Sequence, residues 1–217
     1  MSDTVSLPID AFGSTELYFL LRDTVMPRPI AWVSSMDADG RVNLAPYSFF
    51  NVCCPKPAIL GFSCGPRGRD KSTGGRIPKD TSANIRVAKE FVVNIVPELL
   101  TEKMVMTSDD LPPGENEFVY AGLESAPSTT VKPPRVAGAP IAYECTLHSI
   151  QDLGSNFWVM GTVTHVHIAR AVYVGKKGNY NHRVDLMADL ATRPVGRLGR
   201  AEYARLREIE VHLRGGG

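Results

Sequence analysis

Residues 29–50 read Pro29-Ile30-Ala31-Trp32-Val33-Ser34-Ser35-Met36-Asp37-Ala38-Asp39-Gly40-Arg41-Val42-Asn43-Leu44-Ala45-Pro46-Tyr47-Ser48-Phe49-Phe50, and this stretch decides the fold class. The first eight residues are short, apolar and rich in strand formers, and Asp37-Ala38-Asp39-Gly40 is a turn sequence. Residues 41–50 then run back as a second strand, which predicts a hairpin.

Working outward, Pro55-Lys56-Pro57 interrupts the chain before a third strand over 58–63 and a long Gly- and Arg-rich loop over 64–78. Asp80 or Thr81 is placed to cap a helix that carries Ile85 and Ala88 inward and ends near Glu90. Residues 91–96 (FVVNIV) read as a buried strand. A second helix is predicted over 98–106 behind Pro97, and residues 108–115 read as a loop containing Asp109, Asp110, Pro112, Pro113 and Gly114. After another Pro-rich passage, residues 141–153 and 157–174 form a hairpin about Gly154-Ser155-Asn156. The remainder from about residue 178 is more polar and reads as a C-terminal extension of one 217-residue domain, its last element a helix from Arg200 or Ala201 to His212. Strands joined by tight turns, with few helices, predict a mainly β chain: an antiparallel barrel or sheet with peripheral helices. Regular strand–helix alternation is missing, which argues against a doubly wound fold.

Composition narrows the function. Hydrophobic residues make up 43% and charged residues 22% of the chain, and 24 Lys+Arg stand against 23 Asp+Glu. A net charge of +1 lacks the basic surplus that duplex nucleic acid requires. No apolar stretch reaches the roughly 18 residues of a membrane helix, and no basic region followed by an apolar run opens the sequence, so a cytoplasmic protein without a membrane partner is expected. Cys53, Cys54, Cys64 and Cys145 show no Cys-x-x-Cys spacing and are expected as reduced, buried small hydrophobes.

Familiar catalytic signatures fail. In Gly65-Pro66-Arg67-Gly68-Arg69-Asp70-Lys71-Ser72 an aspartate stands where a phosphate-cradling loop needs its second glycine. No Gly-x-Gly-x-x-Gly fingerprint stands behind a predicted strand. His165 and His167 share one strand face, with His148 on the partner strand. No acid or thiol completes a recognised ligand spacing, so they read as barrel residues and no metal is expected. Asp109 and Asp110 read as a solvated turn.

Three polar islands bordering apolar strands remain. Trp32, Val33, Ser34 and Ser35 end the first strand; Asn43, Ala45, Pro46, Tyr47, Ser48 and Asn51 lie on and behind the returning strand; Lys79, Asp80 and Thr81 open a helix whose free N–H groups can hold an anion. Together they supply a phosphate end, hydrogen-bonding groups and an apolar platform, the inventory for a planar cofactor with one phosphate. No residue is singled out as catalytic.

On these residues the chain resembles the flavin reductase-like family, which includes flavoredoxin and flavoprotein-oxygenase reductases and has the FMN-binding split β-barrel fold. The carriers are PRPIAWVSS at 27–35, NLAPYSFFN at 43–51, KDTSANI at 79–85 and FVVNIV at 91–96, with weaker similarity through Tyr143-Glu144-Cys145, Gly161-Thr162-Val163 and Arg197-Leu198-Gly199 with Tyr203. The resemblance implies a homodimer with a flavin, FMN or alternatively FAD, in each of two clefts near the subunit interface. It also implies reduction of that flavin by NADH or NADPH, and delivery of reduced flavin or electrons to a partner monooxygenase. By the same resemblance Trp32, Val33, Ser34 and Ser35 meet the flavin, with Trp32 or Tyr47 supporting a ring face. Asn43, Ala45, Pro46, Tyr47, Ser48 and Asn51 form the second wall, and Lys79, Asp80 and Thr81 lie near the phosphate. The run Arg67, Arg69, Lys71, Arg76 and Lys79, with Arg86 just beyond, concentrates positive charge in the sequence against Asp70 and Asp80, and the resemblance leaves open which of these cations meets phosphate or nicotinamide. The rival readings are a non-catalytic FMN-binding or electron-carrier protein and an oxidase on the same barrel.

Overall fold

The computed structural model describes residues 3–112, 115–210 and 212. In chain order the elements are α1 Ser14–Thr24, β1 Ala31–Met36, β2 Val42–Tyr47, β3 Phe50–Pro55, β4 Ala58–Cys64, β5 Pro66–Arg69, β6 Arg76–Pro78, α2 Asp80–Ala88, β7 Glu90–Ile95, α3 Thr101–Met106 and α4 Glu117–Tyr120. They continue with β8 Ser125–Ala126, β9 Arg135–Val136, β10 Ile141–Asp152, β11 Phe157–Ile168, β12 Tyr173–Lys177, β13 Tyr180–Val184, β14 Val195–Arg197 and β15 Tyr203–Arg205.

Seven antiparallel strands form one sheet in the order β2-β1-β7-β10-β11-β4-β3. Its two edge strands, β2 and β3, are consecutive in the chain and separated only by Ser48 and Phe49. Two residues cannot span a flat seven-stranded sheet whose neighbours lie about 4.8 Å apart. The sheet therefore curls until its edges meet, which makes a barrel with a seam at Ser48-Phe49. The phenylalanine and valine faces of β1, β4, β7 and β11 fill the interior with Val33, Phe62, Phe91, Val93 and Val159. A second core lies outside, where Trp32, Leu44, Val96, Met104, Phe118 and Val136 are packed by the helices and the 127–139 segment. Gly161 lets β11 cross the Phe91 ring, since a Cβ there would lie 2.3 Å from Phe91 Cζ.

The β1–β2 hairpin, the strand at 91–96 and the long β10–β11 hairpin follow the sequence reading. Several features differ from it. The strand expected over 41–50 is two strands, because Phe50 pairs with Phe62 on β4 while β2 pairs with β1. The long loop over 64–78 is instead the β5–β6 hairpin, whose turn is closed by Asp70 accepting from Ser72 N (2.8 Å) and Thr73 N (2.9 Å). The helix at 80–90 has Lys79 as its N-cap with no capping side chain, and it stops at Ala88 because Lys89 turns left-handed (φ 61°). The helix expected over 200–212 is replaced at 203–205 by β15, which pairs with β14, and residues 206–210 are irregular. Bridges Arg28–Arg197 and Pro97–Pro194 hold that segment against the barrel, and Gly196 gives the room, a Cβ there lying 3.1 Å from Pro27 Cβ. The β11 strand ends at Ile168 rather than 174. Pro113, Gly114, Val211 and residues 213–217 lie outside the described residues. Cys64 and Cys145 are buried as expected, but Cys53 is exposed and Cys54 half-buried, because β3 is an edge strand.

Glu144, on β10, is fully buried and ties the 127–135 segment to the sheet. It accepts from Thr129 N (2.6 Å), Thr130 N (2.5 Å), Thr130 Oγ1 (2.6 Å) and His167 Nε2 (2.5 Å). Burial alone would raise its carboxyl, and the hydrogen bonds from Thr130, Thr129 and His167 outweigh burial and bring it down to about 2. A carboxyl lowered in the folded state contributes stability above its unfolded value near 4.3, and that stability is lost as pH falls toward 2. Urea midpoints measured from pH 5 to pH 2 should therefore fall steeply in the native chain and more shallowly in Glu144→Gln, with the two curves approaching each other at the acid end.

Candidate functional site

The second and third polar islands meet in one cleft. Asn43, Ala45, Pro46 and Tyr47 of β2 form one wall, and Lys79, Asp80 and Thr81 at the start of α2 form the floor beside Arg67. The opposite wall comes from residues 107–112 with Glu115 and Glu117, and the cleft with its open mouth spans about 560 Å³. Packing of α2 across β1 and β2 explains the meeting. Thr81 and Asn43 are both buried, and they hydrogen-bond at 2.9 Å.

A buried carboxylate anchors this corner. Glu117 Oε2 accepts from Leu44 N (3.0 Å), and the Asn43 amide donates to Glu117 Oε1 (3.2 Å) while its oxygen accepts from Thr81 Oγ1 (2.9 Å). Burial, opposed by the Leu44 N–H and reinforced by the nearby Asp80 charge, pushes the Glu117 carboxyl up. Tyr47 is buried with its ring tilted on Phe62 at 4.8 Å, and the Cys64 thiol donates to its hydroxyl at 3.6 Å. Burial holds the Tyr47 phenol well above its ordinary value and raises the Cys64 thiol, so both stay neutral near pH 7.

At the start of α2 no side chain caps the first turn, so backbone N–H groups at Asp80, Thr81 and Ser82 have no partner within the helix. Lys79 stands beside them half-buried and, among the described residues, ion-pairs with no carboxylate. Asp80 pairs with Arg67 at 2.8 Å. This corner offers an anion several donors and one free cation.

The expected concentration of six cations is dispersed by the β5–β6 hairpin. Arg76 pairs with Asp152 and, like Arg86, lies over the Phe157 ring, 4.1 and 4.6 Å from its centroid. Arg69 donates to Gly74 O (3.0 Å) within its own turn. Only Arg67 and Lys79 of the six line the cleft, facing Asp80, Asp109, Asp110, Glu115 and Glu117.

The first island lies elsewhere. Trp32 is fully buried in the outer core, and its Nε1 donates to Thr107 Oγ1 at 2.9 Å. A ligand ring has no route to its face, so the ring-support role falls away. Val33 is fully buried inside the barrel. Ser34 donates to Pro134 O, and Ser35 accepts from Asn84 Nδ2 at 3.3 Å. These four residues brace the cleft from behind. Ser48 and Asn51 face neighbouring recesses: Ser48 lines an adjoining space of about 600 Å³ with Phe49, Tyr18 and Tyr203, and both line an apolar groove with Leu21, Val25 and Trp158. The adjoining space shares Pro46 and Ser108 with the cleft. The wall formed by 107–112 and Glu117 was missed by sequence reasoning. Its one sequence signal is a polar Ser-Asp-Asp-Leu-Pro run between two helices.

His167 engages Glu144, and His148 meets Thr162 Oγ1 at 3.3 Å rather than the other two histidines. Among the described residues no group of three or more His, Cys, Asp or Glu side chains is arranged to hold a metal ion, and no helix is long and apolar enough to cross a membrane.

Comparison with known proteins adds four observations. A family model described as "Flavin reductase like domain" matches residues 22–183. An uncharacterized protein of Aquifex aeolicus is 37% identical, over 87% of this chain and 89% of its own. Among solved structures, nitrilotriacetate monooxygenase component B from Bacillus cereus superposes with a TM-score of 0.85 at 30% identity, over 98% of this chain and 100% of that one. A split-barrel-domain protein of Shewanella frigidimarina, at 19% identity, shares the fold with a TM-score of 0.77 over 95% of this chain and 96% of its own.

Proposed function

The chain belongs to the flavin reductase-like family, and on that premise we propose that it is an NAD(P)H-dependent flavin reductase that binds FMN and supplies reduced flavin or electrons to a monooxygenase. The observation that carries this reading is the meeting, in one cleft, of a donor-rich anion corner and the apolar Ala45–Pro46 stretch of the β2 wall. The corner at Lys79, Thr81 and the uncapped turn suits a phosphate. Ala45 and Pro46 offer an apolar surface in the same cleft for a planar ring. The match to the Bacillus cereus component B, named as part of a monooxygenase, supports a separate oxygenase as the recipient.

A bound flavin supplies hydride acceptance and donation, which needs stacked rings and exclusion of water rather than a protein nucleophile. In the reading proposed here Lys79 and the α2 N–H groups hold the phosphate, and the Glu117–Asn43–Thr81 chain fixes where they stand. Tyr47 and Cys64, both neutral, keep the β2 wall dry. The 217 residues act as one domain in the cytoplasm, consistent with four free cysteines. The chain forms a homodimer through the face where α1, which buries none of its residues, exposes Tyr18, Phe19, Leu20 and Leu21 near the bare edge strand β3 with Val52.

Anaerobic mixing of the FMN-loaded protein with NADH or NADPH should bleach the flavin's visible absorption at a catalytic rate, and absence of bleaching with both donors overturns the reductase reading in favour of a carrier. Lys79→Ala should weaken FMN binding by about 1–3 kcal/mol, the loss of a charge-assisted hydrogen bond, while leaving riboflavin affinity unchanged in the same titration. Light scattering should give about twice the 23.7 kDa chain mass, and a monomer at micromolar concentration rules out the dimer.

A further inference from the structure

The recess beyond Pro46 carries an unusual charge. Arg22, Arg28 and Arg197 line it together with Tyr18, Phe49 and Tyr203. Arg28 is 6% exposed and the Arg22 side chain 12% exposed. Charged groups withdrawn from water are costly unless compensated. The acid in contact is Asp23, which accepts from Arg22 at 2.6 and 2.9 Å. A second carboxylate, that of exposed Glu202, reaches only the rim, beside Gly199 and Asp23. Burial, and after it the neighbouring Arg197 charge, holds the Arg28 guanidinium below its usual value.

The cations are fixed in place. Arg28 donates to the carbonyls of Arg22, Val25 and Leu198, and its buried Nε has no partner among the described residues. Arg197 donates to Tyr203 Oη and to the Arg200 carbonyl. Aromatic faces lie against them, with Arg28 5.5 Å from the Phe49 centroid and Arg197 4.6 Å from that of Tyr203. Three clamped cations, one contacting acid and aromatic walls describe a receptor for a planar molecule that carries an acidic group.

We propose that this recess is a subsite for the carboxylate or phosphate of a planar organic anion, held beside the flavin cleft as the second ligand of the protein. The assignment of that ligand as the flavin's reaction partner rests on the function proposed above; the binding of an anion does not. The shared boundary at Pro46 and Ser108 would bring such a ligand next to whatever occupies the first cleft.

The test uses the full chain, with and without FMN, and ¹⁹F NMR of 4-fluorobenzoate, with neutral 4-fluorobenzamide as control. The expected result is line broadening by the acid and none by the amide, an affinity reduced about tenfold in Arg22→Gln, and binding that persists when FMN is added. Arg22 is chosen because Arg28 and Arg197 also brace backbone carbonyls, and the acid–amide comparison needs no variant. Displacement of fluorobenzoate by inorganic pyrophosphate supports the subsite and assigns it to a nucleotide phosphate; binding that resists pyrophosphate supports it and assigns an organic carboxylate. Equal broadening of both probes, or none, overturns the proposal. So does loss of fluorobenzoate on adding one equivalent of FMN, which would give the arginines to the flavin itself. Failure of FMN to bind at all, with fluorobenzoate still bound, sinks the flavin reading and leaves the anion subsite standing.

Discussion

The constraint on which the rest of the molecule depends is the two-residue link Ser48-Phe49 between strands that sit at opposite edges of the sheet. It forces closure of the barrel and places a seam where neither edge strand has a full complement of neighbours. Backbone groups and side chains at a seam stay within reach of a ligand, whereas those in the middle of a sheet are consumed by pairing. Both recesses open along this seam. Pro46, one position before the buried Tyr47, borders the two of them, and as proline it has no N–H to pair, which suits the last exposed step of an edge strand.

Around that seam the polar groups fall into two kinds. Asn43, Thr81 and Glu117 bond to one another, so they define positions rather than offer contacts. Lys79 and the first turn of α2 are not consumed by neighbours in this way. Removing one link of the first kind leaves a buried donor or acceptor unmet, at a typical cost of about 1–3 kcal/mol, and shifts the second kind without touching a ligand. Ser34 and Ser35 extend the first kind through the barrel wall to Pro134 and Asn84.

The legible part of the fold was the part governed by local signals. Alternation and turn residues located the 31–47 hairpin and the β10–β11 hairpin, and the polar run Lys79-Asp80-Thr81-Ser82 located the start of α2. What stayed hidden was decided at long range. Phe50 reads as the end of one strand until its pairing with Phe62 is known. Tyr203–Arg205 has helix-forming neighbours, and its strand exists because the segment is pinned at Pro194 and Arg197. Within the cleft, Asn43, Ala45, Pro46 and Tyr47 and Lys79 through Thr81 were readable because each set is a short polar run beside an apolar strand or at a helix start. Glu117 was not, since a carboxylate just behind a Pro-rich loop looks solvated until the fold closes over it. Trp32 misled for the opposite reason: a large aromatic beside serines suits a ligand platform as well as a core, and only the Thr107 hydrogen bond and full burial separate the two.

The two recesses divide the balanced charge of the chain in opposite senses. The first has free donors but an excess of acids, with Arg67 and Lys79 against five carboxyl side chains. The second has net positive charge but few free donors, because Arg28 and Arg197 spend theirs on carbonyls and a phenol and Arg22 on Asp23. A terminal phosphate has three oxygens to satisfy and gains most from several converging N–H groups, which favours the α2 corner despite its acids. A carboxylate has two oxygens and a single charge, and it gains from a field with one or two donors, which favours the arginines. Hydrogen-bond supply and electrostatic potential therefore select different anions on the two sides of Pro46, and a site so divided suits two ligands that must lie against each other.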